Sequence, residues 1–178
     1  MKNLLVFFAA FLILVFSYSL IHTNAKDYQF EKNFIEVGYK EVNKALEESE
    51  KHFNRNIVLP IQIPPIVFTH NLGRFSNLEG NQNDYLEIIY LNKNTGENHY
   101  IIEIRPIDYK LKINEEQVNQ VLKLNDGNEA VFSTIMMQGF NTLVFEKKGF
   151  QYNLVIDKRV SDQVTLDTLM EIANSITY

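Results

Sequence analysis

The chain has 178 residues, 46% of them hydrophobic and 12% aromatic, enough apolar material for one packed core and too much for general disorder. Residues 26–178 carry 16 basic side chains (17 less Lys2) against 22 acidic ones, a formal charge of −6. Their longest basic clusters are the pairs Lys147-Lys148 and Lys158-Arg159, so a phosphate backbone is repelled and no nucleic-acid partner is expected. The absence of cysteine excludes iron–sulfur ligation, thiolate zinc sites, cysteine nucleophiles, disulfides and a lipid-modified N-terminal cysteine.

Lys2 precedes eighteen uncharged residues, 4–21. As a helix this run is roughly 27 Å long, close to the ~30 Å hydrocarbon thickness of a bilayer. It is long enough to stay as an anchor, and Thr23 and Ala25 also offer small residues at −3 and −1 for cleavage before Lys26. Both fates place the remainder outside the cytoplasm, with Lys2 inside. The chain thus reads as a signal peptide or N-terminal membrane anchor (1–25), a stalk or irregular lead-in (26–38) and an extracytoplasmic domain (39–178). That domain is either held at the membrane or secreted after cleavage near Ala25.

From Tyr39, Val42, Ala45, Leu46, Ser49 and Phe53 recur at helical spacing, with Lys44–Glu48 and Glu47–Lys51 placed to pair on the polar side. Asn54 to Asn56 provides the stop. Pro60, Pro64 and Pro65 remove ladder donors from residues 57–65, which predicts an edge segment or a crossing over the sheet. Residues 66–70 then lead into an expected turn at Asn71, Leu72 and Gly73, and residues 77–83 form a polar loop.

Leu86, Ile88 and Tyr90 alternate with Glu87 and Ile89, and Tyr100, Ile102 and Ile104 with Glu103 and Arg105, which predicts a hairpin about residues 94–96 that ends at Pro106. A second hairpin is expected from residues 120–124 and 129–137 around Asp126-Gly127. In the third, Leu143 and Phe145 share a buried face with Phe150, Tyr152, Leu154 and Ile156, while Glu146, Gln151, Asn153 and Asp157 face water. Thr165 caps a closing helix that carries Leu166, Leu169, Met170, Ile172, Ala173 and Ile176. The fold class is α+β: a curved antiparallel sheet of about six or seven strands, covered on one face by an N-terminal and a C-terminal helix.

Several segments together resemble an uncharacterised extracytoplasmic domain family of Gram-positive bacteria, also found as the outer domain of some anti-sigma factors. They are Val58-Leu59-Pro60 with Pro64-Pro65, FTHNLGRF from Phe68, LNDGNEA from Leu124, NTLVFEKKGFQY from Asn141 and LMEIANSI from Leu169. The resemblance implies an address and a fold distantly similar to lipoprotein-carrier and periplasmic stress-sensor domains, in which a bent sheet leaves an apolar hollow. With only Met1, Lys2 and Asn3 ahead of the apolar run, no sigma-binding domain of the anti-sigma kind is expected.

No hydrolase elbow, metalloprotease pair, phosphate loop or dinucleotide fingerprint is present, so no catalytic residue, metal ligand or cofactor is expected. Glu48 and His52 at i,i+4 read as an exposed ion pair before a weak chelate. His70 with Arg74 reads as a polar turn cluster or as a recognition site for an anion. Met136 and Met137 read as core packing or as the greasy rim of a binding hollow. Ser133, His99 and Asp84 are one of many triples that a fold could assemble by chance. The function expected is a non-catalytic binding or sensory module for a protein partner or envelope component. The alternatives are a carrier or sensor of an acyl-chain amphiphile and, further off, an envelope hydrolase.

Overall fold

Leu86, Ile88 and Tyr90 stand opposite Ile104, Ile102 and Tyr100 in antiparallel register, so alternation along each strand becomes a continuous hydrocarbon face across the pair. The same face continues through Tyr152, Leu154 and Ile156, then Leu143 and Phe145, and ends on Ala130 and Phe132. The computed structural model that shows this describes residues 30–77 and 84–177. Its strands are β1 (His70–Ser76), β2 (Tyr85–Leu91), β3 (His99–Pro106), β4 (Gln120–Lys123), β5 (Glu129–Ser133), β6 (Phe140–Lys147) and β7 (Phe150–Asp157). They form one antiparallel sheet in the order β1-β2-β3-β7-β6-β5-β4.

The chain divides into two compact units, Met1–Gly38 and Tyr39–Tyr178. In the first, residues 30–36 form a helix, α1, where the sequence predicts an irregular lead-in. Two i,i+4 contacts favour it: the Phe30 and Phe34 rings lie 5.4 Å apart and Lys32 pairs with Glu36. The apolar run at 4–21 lies outside the described residues, and among those described no helix is long and apolar enough to cross a membrane.

In the second unit, helix α2 (Val42–Phe53) and helix α3 (Leu166–Asn174) contribute Ala45, Leu169, Ile172 and Ala173 to the core on the sheet's hydrocarbon face. Asn54 ends α2 in a left-handed conformation, φ 51°, and the Thr165 hydroxyl accepts the Thr168 N–H at the start of α3, as the cap positions predict. The surface pairs on α2 differ from those expected, since Lys44 meets Glu41 and Glu48 is taken by Lys40 at 2.7 Å. Tyr100, Phe145, Phe150 and Tyr152 are the largest fully buried side chains and fill the space between sheet and helices. The Tyr152 hydroxyl donates to the Val58 carbonyl at 2.9 Å and pins residues 57–68 across that face.

Three local expectations are corrected. The turn predicted at Asn71, Leu72 and Gly73 is instead the middle of β1. Gly73 is there because α2 passes so close that a Cβ on it would sit 2.8 Å from the Ala45 Cβ and 3.1 Å from the Val42 Cα. Strand β5 stops at Ser133, short of Met137, because the Ser133 hydroxyl accepts the N–H groups of Ile135 and Met136 and folds the chain into a turn. On β7, Gln151, Asn153 and Asp157 are buried where water was expected. The connection from β3 to β4 crosses that face, where Leu111 exchanges two hydrogen bonds with the Gln151 amide, while Asn153 donates to Glu103. Most of the polar loop expected at 77–83 lies outside the described residues.

Replacing Gly73 by alanine forces α2 off β1 or compresses Ala45, an overpacking defect of about 1–3 kcal/mol. Urea unfolding of Gly73→Ala should show a lower midpoint with an unchanged slope.

Candidate functional site

His70 and Arg74 occupy the same face of β1, yet four residues of strand place them roughly 13 Å apart. The structure does not join them into one anion site. Arg74 belongs to a clasp: its guanidinium donates to Glu87 at 3.0 Å and lies 4.5 Å from the centre of the Tyr39 ring, and the Tyr39 hydroxyl also donates to Glu87. Burial, followed by the bond to the Glu87 carboxylate, raises the Tyr39 phenol far above its ordinary value. The phenol therefore stays a donor, and the cluster ties the start of the domain to β1 and β2.

His70 sits elsewhere, with its Nδ1 2.7 Å from the Thr69 hydroxyl. It lines an open groove of about 210 Å³ together with Ile63, Phe68, Thr69, Asn71 and Tyr90. This groove borders the proline-containing crossing of residues 57–68, on which Ile61, Ile63 and Val67 are 76%, 45% and 69% exposed. The crossing is held from both sides: the Asn92 and Asn98 amides both donate to the Val67 carbonyl, and the Gln62 N–H reaches the Ser175 hydroxyl. Three aliphatic side chains are thus displayed on a braced backbone. The prolines of residues 57–65 allow an edge segment or a crossing, and they erase the period-two signal that would tell which aliphatics face outward.

Met136 and Met137 are half-buried in the turn after β5 and line neither this groove nor the two clefts that follow. One cleft, of about 330 Å³, lies where Ile113 meets β5 and β6, with Val131 and Val144 below and Glu129 and Glu146 at its rim. Glu146 is already met by Lys110 at 2.5 Å.

The second cleft holds a pair that spacing along the chain did not reveal. His52 Nε2 lies 2.8 Å from the Oδ2 of Asp84, whose side chain is fully buried. The imidazole packs against the rings of Phe53 and Phe75, with centroids 5.3 and 4.9 Å away. His52, Phe53, Arg55, Pro106, Asp108 and Tyr109 line about 220 Å³ beside it. The i,i+4 pairing of Glu48 with His52 does not form, because Asp84 arrives from the start of β2 and Lys40 occupies Glu48. A carboxylate behind an imidazole orients the ring, and the residues lining this cleft include no serine or threonine hydroxyl for that imidazole to activate. The pair fastens α2 to the sheet.

The triple Ser133, His99 and Asp84 is not assembled. The Ser133 hydroxyl is bound to two N–H groups, β6 and β7 lie between it and the strand of His99, and Asp84 faces His52. His99 instead packs edge-on against Phe140, with centroids 5.5 Å apart. Among the described residues, no group of three or more His, Asp or Glu side chains is placed to hold a metal ion. No protein family, curated protein or solved structure matches the chain.

Truncation of His52 to alanine leaves the buried Asp84 carboxylate without its imidazole and should cost roughly 2–3 kcal/mol. Asp84→Asn should cost less, and urea unfolding of the two variants separates them.

Burial holds the His99 imidazole below its ordinary value of 6.5, opposed by the nearby Asp157 and Glu87 carboxylates. The unfolded chain therefore takes up a proton more readily than the folded one. Stability is unaffected by this group at neutral pH and falls as pH drops through 6.5 toward the lower folded value. His99→Phe keeps a ring against Phe140 and should flatten that part of the stability profile, as read by thermal unfolding across the acid range.

Proposed function

We propose that this chain is a non-catalytic extracytoplasmic binding or sensory module and that residues 57–68 with the adjoining groove are its recognition surface. One observation carries the reading: Ile61, Ile63 and Val67 stand exposed on a backbone that Pro60, Pro64 and Pro65 restrain, next to a groove walled by Phe68 and Tyr90. Large aliphatics exposed in a cluster mark a contact surface more often than a solvated loop. A backbone already restrained also loses less freedom when a partner binds.

The other polar constellations serve the fold. Tyr39, Arg74 and Glu87 clasp one another, and His52 with Asp84 fastens a helix. The amphiphile-carrier alternative draws on the resemblance to carrier domains and needs a hollow, whereas the four largest fully buried side chains, Tyr100, Tyr152, Phe145 and Phe150, are core residues that favour the surface reading. Binding at the surface asks nothing of the core. Leader retention and cleavage both serve this role, because either delivers residues 39–178 to the envelope.

A photoreactive amino acid placed at Ile61 or Ile63 in intact cells should give a specific adduct with a protein or an envelope component, whereas the same group at Lys44 should not. Ile61→Asp combined with Ile63→Asp should abolish recognition while shifting stability by less than about 0.5 kcal/mol, as for other exposed positions. Equal labelling from all positions, or none from 61 and 63, would overturn the reading.

A further inference from the structure

We infer that the occupant of the 61–67 surface is the lipid–water interface of a bilayer, an inference that rests on the reading of this surface as the recognition surface. Ile61, Ile63 and Val67 are purely aliphatic, so their side chains can enter the acyl boundary without carrying a polar atom into it.

The backbone fits the same medium. Hydrocarbon offers no hydrogen bonds, so a segment that approaches it must present few unpaired donors. Pro60, Pro64 and Pro65 have no N–H, the Ile66 N–H is bonded to the Pro64 carbonyl and the Gln62 N–H to Ser175, which leaves the N–H groups of Ile61, Ile63 and Val67 to stay at the water side of the interface while their side chains dip into the acyl boundary. The Val67 carbonyl, the group nearest the β2–β3 turn, accepts two side-chain amides.

Charge removes the remaining obstacle. Residues 51–78 contain no Asp or Glu and carry Lys51, Arg55 and Arg74, a formal +3, within a chain of net −5. Arg55 and Arg74 are already in ion pairs with Asp108 and Glu87. The stretch therefore avoids repulsion by anionic headgroups rather than gripping them.

Proximity follows from the chain itself. Residues 22–38 are the 17 residues (38 − 22 + 1) between the apolar run and the domain, and even fully extended they span less than about 60 Å. With residues 4–21 in a bilayer, contact of the surface with that bilayer is an intramolecular event at high effective concentration.

The chain lacks cysteine, so single cysteines at Ile61, Ile63 and Val67, and at Val121 on β4 as a control that is also 55% exposed, can each carry an environment-sensitive fluorophore. The full-length protein is placed in vesicles of phosphatidylcholine with phosphatidylglycerol, some lipids bearing a nitroxide quencher at the acyl-chain level. The probes at 61, 63 and 67 should shift to the blue and be quenched several-fold more than the probe at 121. Ile61→Asp with Val67→Asp should return the probe at 63 to the level of the control. Equal quenching at 63 and 121 overturns the inference. Unquenched probes together with a protein adduct from position 61 in cells overturn it while leaving the binding reading intact, and unquenched probes with no adduct overturn both.

Discussion

The pairing of β3 with β7 is the joint on which the sheet depends. The strands β1, β2 and β3 form one meander and β4 to β7 another, and only the register of Tyr100 with Ile156 through Pro106 with Phe150 unites them. Every residue of β7 is consequently buried, and strand content on its non-core face must find partners inside the protein. Gln151 finds the backbone of Leu111, Asn153 finds Glu103, and Asp157 finds Arg159, which lowers the Asp157 carboxyl through that hydrogen bond. The pairs of β3 with β7 are 44 (Pro106 to Phe150) to 56 (Tyr100 to Ile156) residues apart, so this joint carries the larger loop-closure entropy while the two meanders are local.

This joint also explains what the sequence conveyed and what it withheld. Alternation in Leu86 to Tyr90, Tyr100 to Ile104 and Phe150 to Ile156 reports the core face directly, because those residues answer to one side of the sheet. Caps at Asn54 and Thr165 are likewise local and legible. The other face of β7 was misread because Gln151 and Asn153 are polar residues whose partners come from a distant connection and a neighbouring strand, and alternation contains no information about either. Gly73 illustrates a second limit. A glycine two residues after Asn71 reads as a turn when only nearby residues in the chain are considered, yet its cause here is Ala45 on a helix 28 residues earlier (73 − 45).

Candidate sites obey the same division. His70 and Arg74, close in sequence, are separated by the rise of a strand, whereas His52 and Asp84, 32 residues apart, meet at hydrogen-bonding distance. Spacing arguments suit helices and tight turns, and they fail when both members belong to different elements. The exposed aliphatics of the 57–68 crossing lay in a segment whose prolines were plain to read, but exposure there depends on which side faces the core through Val58 and Tyr152.

The reciprocal backbone bonds between Lys40 and Gly73, each 2.8 Å, have a consequence for self-association. A sheet's outermost strand is an invitation to any extended chain, and here the invitation on the β1 side is withdrawn at its midpoint by the protein's own main chain. The opposite border is the four-residue β4, which ends in Lys123, a brief edge with a charge at its end that discourages a foreign strand. A sheet that no disulfide staples thereby guards both rims against fibril growth.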